Sequence, residues 1–198
     1  MQSINMQQQN AAKALQTVKS LYPHEKWDLL DTGIYIAKSR MPRSAEQIKT
    51  IKKELRQAYI LVKRGSIVYF LPETPNPGVK HIKYPDAVVD GHVMEFKTIT
   101  GSLRQVEVRY KEARVKASYI FMKIDAQITR HEFTRKLSGY INRKGFTGGI
   151  IMAYFSQSDE FYEWTEEELS SPVFRQKKSG SSDPAAIQGK SDIPKCPR

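Results

Sequence analysis

The chain has 198 residues, of which 39% are hydrophobic and 10% aromatic, so one domain of ordinary size plus some extra can bury a core, and wholesale disorder is excluded. Lys and Arg number 32 against 21 Asp and Glu, and the formal charge of +11 favours a polyanionic partner, nucleic acid before an anionic membrane. A lone cysteine, Cys196, excludes a disulfide framework and a cysteine-based zinc site within one chain, and no apolar run approaches the roughly 20 residues that cross a bilayer.

Met1 to Asn10 is polar and Gln-rich, unlike a secretory signal, and a helix is expected over 7–21. Short apolar stretches follow at 27–30 and 34–37, and Pro42 with Ser44 marks a boundary. Residues 1–43 are therefore expected to form an N-terminal extension, 44–174 a compact α/β unit, and 175–198, rich in Gly, Ser, Pro and Lys, a flexible basic tail. Ser44 and Gln47 make a capping box ahead of Ile48, Ile51, Leu55, Ala58, Leu61 and Val62 at helical spacing, with Gly65 as the stop. A β run over 66–71 ends at Pro72, and Pro75, Asn76, Pro77 and Gly78 force a loop. Runs over 86–90 and 92–97 meet at Asp90-Gly91, a two-residue hairpin signal. Ser102 with Gln105 suggests a second capping box, opening a helix to about 116. A strand over 119–124, a helix over 129–144 and strands over 149–155 and 161–164 follow. The expected order is an α-β-β-β-α-β core followed by an α-β-β extension, an α/β (α+β) fold.

If Asp90 and Gly91 form the turn, Val89 faces His92, Val88 faces Val93, Ala87 faces Met94 and Asp86 faces Glu95. Opposed carboxylates on one hairpin repel unless a cation or a shared proton lies between them. Lys97, two residues beyond Glu95, leaves the same face, while Met94 and Phe96 point into a core. Two carboxylates and a lysine on one sheet face suit phosphodiester hydrolysis. The carboxylates can fix Mg²⁺, which activates a water, and the lysine can stabilise charge developing on phosphorus. Further carboxylates could come from Glu73, after the first core strand, or Glu54, on the preceding helix.

Pro85-Asp86, then eight residues, then Glu95-Phe96-Lys97 resembles the signature of the PD-(D/E)XK nuclease superfamily, and the element order is similar to that family's restriction-endonuclease-like core. Three segments carry a narrower likeness: Phe70-Leu71-Pro72-Glu73, Pro85-Asp86-Ala87-Val88-Val89-Asp90-Gly91, and Glu95-Phe96-Lys97-Thr98 with Gly101-Ser102. Over roughly 50–125 they resemble the C-terminal tRNA-nuclease domains of bacterial contact-dependent growth inhibition toxins. The resemblance implies a metal-dependent endonuclease with Asp86 and Glu95 as metal ligands, Lys97 as catalytic lysine and a helix glutamate, here Glu54, assisting. It further implies RNA, and tRNA in particular, as substrate and a cytoplasmic site of action. A small acidic immunity protein is the expected partner of such a toxin, since carboxylates block a basic cleft at high on-rate.

Residues 97–116 hold Lys97, Arg104, Arg109, Lys111, Arg114 and Lys116 against Glu107 and Glu112, and 38–64 hold nine Lys and Arg against two acids. On the helix after the hairpin, Leu103, Val106, Tyr110, Ala113 and Ala117 make the core stripe. Arg104, Arg109, Lys111 and Arg114 are the expected phosphate contacts. Two other readings stay open. One is a metal-independent, barnase- or colicin-like ribonuclease in which His81 and Glu95 move protons. The other is a non-catalytic nucleic-acid-binding protein whose Asp–Glu–Lys cluster is structural. Tyr154, Phe155, Phe161, Tyr162 and Trp164 pack a core or offer bases a stacking platform.

Overall fold

The computed structural model describes residues 2–73 and 84–171. Five helices and eight strands form a mixed α/β fold: α1 (Gln2–Leu21), β1 (Trp27–Asp31), β2 (Ile34–Ala37), a 3₁₀ turn (Lys38–Arg40), α2 (Ala45–Val62), β3 (Val68–Phe70), β4 (Ala87–Val89), β5 (His92–Ile99), α3 (Arg104–Arg114), β6 (Tyr119–Ile124), α4 (Arg130–Lys144), β7 (Ile150–Phe155), β8 (Glu160–Thr165) and α5 (Glu166–Ser170). His81, the 75–78 loop and the 175–198 tail lie outside the described residues. Among the described residues no helix is long and apolar enough to cross a membrane.

All eight strands share one sheet, in which spatial order follows chain order. The pairs β2–β3, β5–β6 and β6–β7 are parallel, and each is joined through a helix, as a parallel pair requires. The remaining neighbours are antiparallel. The boundary expected near residue 43 is not a boundary of the sheet: the two apolar stretches before it are β1 and β2, and β2 pairs with β3.

Side-chain alternation divides the sheet into two faces. On one, Ile34, Ile36, Val68, Phe70, Ala87, Val89, Met94, Phe96 and Phe121 pack with Ile51, Ala58 and Leu61 of α2. On the other, Tyr69, Leu71 and Val88 meet Ala14 and Val18 of α1. That face continues as Ile99, Ile120, Met122, Ile124, Ile151 and Ala153 under α3 and α4. Three layers result, with α2 alone on its side among the helices of these clusters.

The caps behave as their chemistry dictates, with one exception. Ser44 and Gln47 close a capping box on α2, and Thr129 does the same with Glu132 on α4. Ser102 does not cap α3: the helix starts one residue later from Leu103 without a side-chain cap, and Gln105 instead accepts from the Gly101 N–H. The hairpin has the expected register, Ala87 opposite Met94, Val88 opposite Val93 and Val89 opposite His92. Asp90 and Gly91 both take positive φ, 49° and 92°, as a tight two-residue turn demands. Asp90 also accepts from the Ile67 N–H at 2.8 Å, and Thr17 of α1 donates to the Gly91 carbonyl, so the turn is locked from both sides.

Candidate active site

The hairpin β4–β5 is unequal. β4 begins at Ala87, whereas β5 runs on to Ile99, so among the described residues no strand lies beside residues 95–99 on the β4 side. Continuing the register by one residue sets Asp86 against Glu95. Asp86 accepts from the Phe96 N–H at 2.8 Å through Oδ2, satisfying a donor that β4 does not reach. Alternation puts Asp86, Glu95 and Lys97 on the face of α1 and α3, opposite Met94 and Phe96. The trio expected from the sequence is thus assembled.

Glu95 is fully buried, and two ammonium groups share one of its oxygens: Lys97 Nζ and Lys116 Nζ each lie 2.7 Å from Oε1. The other oxygen, Oε2, is buried and has no hydrogen-bond partner among the described residues. Burial, and then the nearby Asp86 charge, push the Glu95 carboxyl above its ordinary pKa against the pull of the two lysines. Lys116, just past the end of α3, lines a cleft of about 250 Å³ together with Arg40, Glu54, Glu73, Tyr84, Pro85 and Asp86.

Glu54 reaches this cleft from α2, the opposite layer. Burial lifts its pKa to about 7, with Asp86, Glu73 and Glu95 adding to the rise and Arg40 opposing it. Arg40 ends the 3₁₀ turn after β2 and is only 7% exposed. It donates to Glu54 Oε2 at 2.7 Å, to the Leu71 carbonyl at 2.9 Å and to the Asp86 carbonyl at 2.6 Å, with its guanidinium 5.4 Å from the Phe70 ring centre. Glu73, half exposed, stands 3.9 Å from Arg40 Nε. Both additional carboxylates expected from the sequence therefore belong to the cleft. Arg40 and Lys116 are the functional candidates that the sequence reading did not single out.

The donor set suits a hard divalent cation, since it consists of oxygens, one of them bare and buried. Among the described residues no group of three or more His, Cys, Asp or Glu side chains converges on one point. Asp86 and Glu95 would supply two protein ligands and water the rest, a division that Mg²⁺ accepts.

The four basic residues of α3 differ in what they meet. Arg104 and Lys111 are exposed on α3, and Arg109 pairs with Glu112 at 2.9 Å. Arg114 is engaged rather than free for phosphate: its Nε lies 2.7 Å from the fully buried Glu166, which also takes the Tyr110 hydroxyl and the Gly149 N–H. A partner 52 residues away outcompetes the surface role that helical spacing alone suggests. On α2, Lys49, Lys52, Lys53 and Arg56 line a shallow groove of about 320 Å³ and form no ion pair among the described residues. The last-hairpin aromatics are largely packing: Phe155 and Trp164 sit against Phe133, and Tyr162 stacks on Trp164 at 5.4 Å. His92 stacks on Tyr119, and His24 and His131 are exposed.

Comparison with family models, with curated proteins and with solved structures returns no match to this chain.

Proposed function

We propose that the protein is a metal-dependent endonuclease that cuts RNA, built on a restriction-endonuclease-like core and toxin-like in kind. The observation that carries the reading is the Glu95 carboxylate. It is buried beside Asp86, held by two lysines on one oxygen and bare on the other. Burying a carboxylate is costly unless its oxygens find partners, and a divalent ion between Asp86 and Glu95 supplies one. The run α2-β3-β4-β5-α3-β6, with Asp86 at the mouth of its second strand and Glu95 and Lys97 on its third, agrees with the core order of the PD-(D/E)XK superfamily.

A divalent ion bound there would acidify a water and screen the scissile phosphate. Lys97 and Lys116 place positive charge beside it, where the transition state gains negative charge. Glu54, with a pKa near neutrality, is suited to take a proton from the attacking water. The α2 groove and the exposed Arg104 and Lys111 hold the polyanion through its phosphates, without reading bases. By the same resemblance we propose tRNA as the substrate, the cytoplasm as the site of action and a small acidic immunity protein as partner. The metal-free alternative is less favoured by Glu95, because a fully buried carboxylate cannot approach a ribose 2′-hydroxyl.

The test is cleavage of purified tRNA and of duplex DNA by the wild type in Mg²⁺, in excess EDTA, and by Glu95→Gln and Lys97→Ala variants. Mg²⁺-dependent cutting of RNA, lost in the folded Glu95→Gln variant, is the expected result. Full cutting in EDTA would move the reading to a metal-free ribonuclease. Undiminished activity in both variants would remove the cluster from the chemistry.

A further inference from the structure

We infer that Arg40 is a resident cation that fills the α2-side half of the acidic cleft, so that the site accepts a single divalent ion, at Asp86 and Glu95. The inference rests on the metal-dependent reading above. Three oxygens from three parts of the chain converge on this guanidinium: Glu54 Oε2 at 2.7 Å, the Leu71 carbonyl at 2.9 Å and the Asp86 carbonyl at 2.6 Å. Glu73 stands just beyond, 3.9 Å from Nε. A carboxylate and two carbonyls, with a second carboxylate alongside, are what a hard cation takes as ligands. Here a side chain has taken them instead.

Two features make the substitution durable. Arg40 is buried, packed beside Phe70 and fixed at the end of a short 3₁₀ turn, so it has no solvent-exposed alternative without opening the cleft. Its charge is also permanent, because a guanidinium does not lose its proton in a protein. The charge balance agrees. Glu54, Glu73, Asp86 and Glu95 face Arg40, Lys97 and Lys116, leaving one excess negative charge when all are ionised. One divalent ion reverses that sign, and a second would have to enter against net positive charge and displace Arg40 from its oxygens. The bare Oε2 of Glu95 marks where the single ion belongs.

The experiment counts bound Mn²⁺ on the full chain by the loss of the free-ion paramagnetic resonance signal, without substrate. The wild type should bind one Mn²⁺. Arg40→Gln, checked for folding by circular dichroism, should bind two, because the vacated cage regains its oxygens. Arg40→Lys keeps the charge and should bind one. The double variant Arg40→Gln with Glu54→Gln, which leaves neither a buried cation nor its partner carboxylate, should also return to one. Two ions on the wild type or on Arg40→Lys would overturn the inference while leaving the metal reading intact. So would a single ion on folded Arg40→Gln. If Arg40→Gln fails to fold, the wild-type and Arg40→Lys counts still decide. No Mn²⁺ on the wild type would overturn the metal reading itself, and the inference with it.

Discussion

Glu54 gives the most direct quantitative test of the cleft's electrostatics. Its carboxyl has an ordinary pKa of 4.5 and is lifted to about 7 in the fold, chiefly by burial. Between those values the folded protein keeps a proton that the unfolded chain releases, so stability falls as pH rises from about 4.5 and levels off above about 7. A displacement of that size corresponds to about 3 kcal/mol at full effect. Glu54 retains 16% side-chain exposure, and solvent screening trims the figure to about 2–3 kcal/mol. Glu54→Gln imitates the protonated side chain at every pH, and comparing it with the wild type cancels the groups that do not face Glu54. In EDTA, urea unfolding should give the two proteins nearly equal stability at pH 4, below the ordinary carboxyl value. At pH 8.5 the variant should be ahead by about 2–3 kcal/mol, equivalent to about 5–10 °C in melting temperature for a protein of this size. A gap that stays flat with pH would refute the reasoning. A wild type more stable than the variant at pH 8.5 would show that the attraction of Arg40 outweighs the cost of burial.

Lys116→Ala should lower the cleavage rate at saturating RNA by about 10²–10³-fold in Mg²⁺, the usual effect of deleting one charge aimed at a transition state, while filter binding of RNA is retained. Lys52→Gln together with Lys53→Gln should reduce the slope of log affinity against log salt by about 0.7–0.9 for each charge removed, measured by fluorescence anisotropy. Arg114→Gln should leave that slope unchanged and instead cost about 2–3 kcal/mol in urea unfolding, because it strips a charged partner from the buried Glu166. Asp90→Ala should cost about 1–3 kcal/mol, since the Ile67 N–H loses its acceptor at the hairpin turn.

Much of the fold was legible because local chemistry and tertiary structure agree. Asp90-Gly91 can hardly be anything but a turn, and fixing it fixes the register, so Asp86, Glu95 and Lys97 follow by counting. The α3 stripe of Val106, Tyr110 and Ala113 is a matter of helical period and is buried as expected. What could not be read depends on partners distant in the chain. Arg40 is one of nine cations between residues 38 and 64, and nothing in its neighbours says that it turns inward to meet Leu71 and Asp86. Lys116 lies off the helical stripe, and only the close approach of α3 to β5 brings it onto Glu95. Arg114 shows the converse, a residue that looks free on a helical wheel and is claimed by Glu166 of the five-residue α5, too short for periodicity to reveal. The strands β1 and β2 were seen as apolar stretches, yet a four-residue strand declares its sheet only through pairing.

The placement of α2 and α3 on opposite faces has a consequence for chirality. β2, β3, β5 and β6 all point the same way, and both β2 to β3 and β5 to β6 step in the same direction across the sheet. A link in front of the sheet and a link behind it, making the same step, are mirror-related in hand. One of the two crossovers is therefore left-handed, in a class of connection that is right-handed in about 98% of cases. Were α2 on the face of α3, it would compete with α1 for the surface of Tyr69, Leu71 and Val88, and Glu54 would rise from the same side as Glu95. The uncommon link is what lets acidic groups arrive from both sides and meet beside the start of β4.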